Sequence, residues 1–100
     1  MQPQPPYSQL PKEIQVRINE AEMKGVYANF MRVFHTKEEF ILDFGNILPD
    51  GGVITARIIT SPGHLKRIVS ALKENLEKYE QNFGKIEEAD APKEDFGFSA

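Results

Sequence analysis

The segment from Ser61 to Gly84 constrains this chain more than any other. Leu65, Val69, Leu72, Leu76, Tyr79 and Phe83 recur at alternating intervals of four and three. A helix over this stretch therefore carries one continuous apolar stripe, which Ile68 widens. Both ends are signalled. Ser61 is suited to the N-cap, Pro62 to the first helical position, where a missing N–H costs nothing, and Gly84 to a C-terminal stop. A stripe of this length needs a surface to lie on, and the rest of the chain has to supply it.

Upstream, the pattern changes to β. The runs VYANFMRVF, FILDF and VITARIIT are rich in branched and aromatic residues, and HTKEE and the turn-rich GNILPDGG separate them. Ile14, Val16 and Ile18 alternate with polar residues and suggest a further short strand. NEAEMKG, after it, suits one helical turn or an irregular connection. The expected fold is α+β: an antiparallel sheet of three to four strands followed by one long C-terminal helix, assembled as a dimer or higher oligomer. The domain occupies residues 12–86, in the order β-β-β-β-α. Residues 1–11, with Pro3, Pro5, Pro6 and Pro11, read as a disordered arm, and residues 87–100 as a disordered acidic tail.

Register follows from the turn. A three- or five-residue connection through HTKEE sets Phe34 opposite Phe40 and Phe30 opposite Phe44, gathering four aromatics and Leu42 on one face. A four-residue connection scatters them over both faces. The first register is the expectation, with Ile54, Ala56 and Ile58 completing a core beneath the helix stripe. The other face then carries Tyr27, Met31, Val33, Ile41, Val53 and Ile59, too apolar to be left in water. A second copy of the chain is expected to cover it, by sheet contact or by helix pairing, since the four–three spacing also suits a coiled-coil seam. Asp43 and Arg57 fall on that same face, within reach of an ion pair.

Composition narrows the function classes. The chain has 100 residues and no cysteine, which excludes disulfides and thiolate chemistry and leaves oligomerisation as the available staple for a small core. Its net charge of −3 is uneven. Residues 24–86 hold nine basic and seven acidic groups, whereas residues 87–100 hold one and five. No basic stripe of the kind that grips nucleic acid is present. No apolar run is long enough for a membrane span and no secretory leader is evident, so a cytoplasmic setting without membrane contact is expected.

Catalytic constellations are missing. His35 and His64 lack a companion at ligand or triad spacing, the helix carboxylates suit a solvated face, and Gly51 and Gly52 join two strands instead of opening a helix. No enzyme activity, cofactor or metal is expected. Two binding surfaces remain. His64, Lys66, Arg67 and Lys73, near the helix start, are candidates for contact with an anion or nucleic acid. Phe96 and Phe98, in the acidic tail, are candidates for docking on a separate protein partner.

Tyr27–Phe30 (YANF), Phe40–Phe44 (FILDF), and Ser61–Asn75 with SPGHLKR followed by ALKEN resemble an uncharacterised family of short bacterial and archaeal proteins, a domain of unknown function. The likeness covers about residues 25–86. It implies strands followed by a helix in an intracellular setting, and it implies no established activity. The layout is also similar to that of the SecB export chaperones, on architecture alone. The expected function is a non-enzymatic, homo-oligomeric interaction or adaptor module of a chaperone-like kind, and the alternative is a nucleic-acid-binding module.

Overall fold

A computed structural model describes residues 14–90. Its order is α1 (Glu20–Met23), β1 (Phe30–His35), β2 (Phe40–Leu48), β3 (Gly51–Thr60) and α2 (Pro62–Phe83). The strands form one antiparallel sheet with β2 in the centre. The α+β expectation, three strands and then a long helix, is met. Ile14, Val16 and Ile18 are exposed and form no strand, which corrects the reading of a fourth. Alternation gives a segment strand propensity, but a strand also needs a backbone partner, and this segment has none among the described residues. The N-terminal arm and the last ten residues lie outside the described part of the chain.

The β1–β2 register also differs from expectation. Phe34 faces Ile41, Phe30 faces Gly45, Met31 faces Phe44 and His35 faces Phe40. The connection is the four-residue one, Thr36 to Glu39, and the turn chemistry selects it. The Thr36 hydroxyl accepts from the backbone N–H groups of Glu38 and Glu39, both at 3.2 Å, while Thr36 N–H donates to the Glu39 carbonyl at 2.9 Å. Three local hydrogen bonds thus outweigh the gain from grouping four rings. The phenylalanines are divided, with Phe30 and Phe34 on one face and Phe40 and Phe44 on the other.

β2 and β3 both run further into the turn-rich segment than the sequence suggests. Only Pro49 and Asp50 lie between Leu48 and Gly51, whose φ of 137° suits glycine. The β2–β3 register shifts between Phe44 and Gly45, leaving Thr55 as the extra residue of a bulge. Gly45 is required there. A Cβ on it would collide with the Val53 carbonyl oxygen and come within 3.2 Å of Ile54 Cα, both backbone atoms that cannot swing aside.

Just before β1, Asn29 substitutes for a missing residue pair. Its Nδ2 donates to the Ile47 carbonyl at 3.1 Å, and its Oδ1 accepts from the Ile47 N–H at 2.9 Å. Both backbone groups of the buried Ile47 are satisfied this way. Asn29→Ala leaves them without partners and is expected to cost about 1–3 kcal/mol, measured by urea unfolding.

The helix begins and ends as its sequence indicates. Ser61 Oγ accepts from His64 N–H at 3.2 Å, and Gly84, at φ 94°, ends the last turn by donating to the Glu80 carbonyl at 2.9 Å. The expected cover of the sheet by the helix stripe does not occur. No residue of α2 is buried; Leu65 and Ile68 are half-buried, and the stripe from Val69 onward is exposed, from 49 % at Tyr79 to 74 % at Phe83. The connection explains this. Ser61 alone joins β3 to α2, and one residue spans at most about 3.6 Å, whereas laying one layer on another needs a rise of roughly 10 Å. Among the described residues, the buried apolar ones are Ile41, Leu42 and Ile47, all on β2.

Candidate functional site

Two features stand out, a charged row across the sheet and the uncovered stripe of α2. The row is built by register. Arg32, Asp43 and Arg57 stand side by side on three neighbouring strands, so their side chains share one face. Asp43 Oδ1 accepts from Arg57 Nε at 2.7 Å, and Oδ2 accepts from Arg57 Nη2 and from Arg32 Nε, each at 2.9 Å. The Asp43 side chain has no exposed surface, while those of Arg32 and Arg57 are 28 % and 50 % exposed. The Arg57 guanidinium also lies 5.6 Å from the centre of the Phe34 ring.

This geometry fixes the protonation states. The hydrogen bonds from Arg57 hold the Asp43 carboxyl far below the usual carboxylate range; burial opposes them, and the bond from Arg32 and both positive charges add to them. Arg57 is pushed up in return by its bond to Asp43. Asp43 is therefore an anion throughout the neutral range with both oxygens engaged. It is placed to tie three strands together and not to carry a proton. The sequence pointed to the Asp43–Arg57 pair. Arg32 as the second partner follows only from the β1–β2 register, which the aromatic pattern had set one residue off.

The six residues assigned to a single self-association face are divided. Met31, Val33 and Val53 share one face with Phe40, Leu42 and Phe44, whereas Ile41 and Ile59 lie on the charged-row face. Tyr27 precedes β1. The four-residue turn moves the whole of β1 across the pleat relative to β2, and the bulge at Thr55 moves Val53 across it relative to Ile59. Both faces nevertheless keep exposed apolar groups: Phe34 and Ile59 beside the charged row, and Met31, Val53 and Ile58 behind it.

On α2, Val69, Leu72, Leu76 and Tyr79 line an open trough bordered by Lys73 and Asn75, with Ile86 at its far end. The Tyr79 and Phe83 rings continue it, with centroids 5.0 Å apart. Ile86 is held there because its N–H donates to Glu80 Oε2 at 2.9 Å, which folds the chain back along the helix.

The candidate anion contacts lie on the same helix and are exposed. His64 uses its backbone N–H in the cap, and Lys66 and Lys73 are two turns apart on one side, about 10 Å along the axis. Phe96 and Phe98 lie outside the described residues. Among the described residues no group of three His, Cys, Asp or Glu side chains is placed to hold a metal ion, and no helix is long and apolar enough to cross a membrane.

Neither a curated protein nor a solved structure matches the chain. A family model does match, over residues 1–88, and so takes in the whole domain from the N-terminal arm to the end of α2. By that match the chain belongs to the family described as protein of unknown function (DUF3467).

Proposed function

We propose that this chain is a non-enzymatic, homo-oligomeric interaction module, acting in the cytoplasm as an adaptor or chaperone-like binder of other polypeptides. One observation carries the reading: its described residues bury three apolar side chains and leave the stripe of α2 and parts of both sheet faces in water. Ordering one residue costs about 1–2 kcal/mol of backbone entropy, and fully burying one large apolar side chain returns about 1.5–3 kcal/mol. Three such side chains cannot hold the fold, so much of its core has to come from association. A second copy brings the same surfaces at the same concentration, and any apolar surface that assembly leaves open is available to a client polypeptide.

Nucleic-acid binding through His64, Lys66, Arg67 and Lys73 has less support, because Glu80 continues the helix row that Lys66 and Lys73 begin. Light scattering on the full chain at low micromolar concentration tests the reading. The expected mass is at least twice 11.4 kDa. A cooperatively folded monomer at that concentration overturns it. Slower aggregation of a reduced, unfolded client in the presence of the assembled chain tests the chaperone-like part, and an unchanged rate removes that part.

A further inference from the structure

Resting on the assembly reading above, we infer that two chains pair through α2 in antiparallel orientation, with Leu72 of each helix packed on Leu76 of the other. The stripe is self-complementary in this direction. Once Leu72 meets the partner's Leu76, the four–three spacing brings Val69 onto the partner's Tyr79 and Leu65 onto the partner's Phe83. All six stripe residues find a layer and none is left over. The layers are also balanced in volume, since the smaller member of each outer pair lies against an aromatic ring. A parallel pair would instead stack Val69 on Val69, Tyr79 on Tyr79 and Phe83 on Phe83, giving one narrow layer and two over-wide ones.

Charge selects the same direction. Lys66, Lys73 and Glu80 form one row, seven residues apart, along the edge of the stripe. In an antiparallel pair this row runs beside its own copy, so Lys66 meets the partner's Glu80 at both ends of the seam, and Lys73 meets its own copy at the two-fold axis. Two attractive contacts then oppose one repulsive contact. In a parallel pair the row lies against Ser61, Ile68 and Asn75, and no opposite charges meet. One oxygen of Glu80 accepts from the Ile86 N–H. The other is the acceptor that Lys66 of a second copy would reach. The trough between Val69 and Tyr79 is the space into which the facing side chains insert.

The chain has no cysteine, so introduced cysteines report without background. Full-length Val69→Cys and Tyr79→Cys chains, refolded together and mildly oxidised, are expected to give a disulfide-linked heterodimer, while neither variant links to itself. Val69→Cys chains linking to one another would show a parallel pair and overturn the inference. A dimer by light scattering with no link in any combination would place the contact on the sheet, which overturns the helix pairing and leaves the assembly reading intact. A monomer by light scattering removes both. Should the cysteine variants fail to fold, surface charges decide. Lys66→Glu and Glu80→Lys are each expected to raise the dimer dissociation constant about tenfold, and the double swap to restore it. A double swap no tighter than the single variants overturns the inference.

Discussion

Asp43→Asn is expected to lower the thermal midpoint of the full chain by roughly 10 °C, a larger loss than any other single polar replacement in the sheet. The carboxylate is the only anion in a row with two guanidiniums, and it accepts from both at 2.7–2.9 Å. Asparagine keeps the size and one acceptor but leaves Arg32 and Arg57 as like charges on neighbouring strands. The half exposure of Arg57 lets water relieve part of that repulsion, which keeps the loss below that of a sealed ion pair. Arg57→Gln is expected to cost less, because Arg32 still compensates Asp43.

Acid gives a second readout of the same site. The folded-state carboxyl is held below its unfolded value of about 3.9, so its stabilisation is fully present above that pH and is lost as the pH falls below about 4 toward the depressed folded value. Parent and Asp43→Asn chains should therefore differ in stability by a constant amount from about pH 5 to pH 8, and the gap should narrow progressively as the pH falls below about 4. A gap that persists unchanged at about pH 2 would show that the loss in the variant comes from packing and not from charge.

Local chemistry was readable in the sequence where a side chain acts on its own backbone. Ser61, Pro62 and Gly84 bound the helix as their types require, and a run of branched and aromatic residues became each of the three strands. What failed was inference across elements. The aromatic pattern favoured one register, and a threonine hydroxyl in the turn fixed another. The spacing of the α2 stripe matches it to the sheet, yet the single residue Ser61 between strand and helix decides where the stripe can go. Turn length was written in the sequence in both cases, but its consequence is geometric, and hydrophobic spacing carries no record of it. Asn29 was legible only as part of the YANF run; that its amide serves as a strand partner for Ile47 depends on where β2 passes.

The largest effect on assembly is expected from charging the middle of the stripe. Leu72 and Leu76 are 66 % and 51 % exposed in the single chain, so more than half of the surface of each remains to be buried by association. At about 1.5–3 kcal/mol for full burial of a leucine, the four leucines contributed by two helices supply roughly 5 kcal/mol, or between three and four orders of magnitude in dissociation constant. A Leu72→Glu, Leu76→Glu chain forfeits that contribution and sets four carboxylates against one another, whichever way the helices run. Sedimentation equilibrium should show a dimer for the parent and a monomer for the variant across the micromolar range. The thermal midpoint of the parent should rise with protein concentration, as it does when folding and association are linked, and that of the variant should be low and independent of concentration. Ser70→Glu, beside the stripe but off it, adds a charge to the same helix and should leave the mass unchanged. If the charged-stripe variant keeps the mass and midpoint of its parent, the helix is not the surface that completes this fold, and the apolar rows of the sheet have to do so instead.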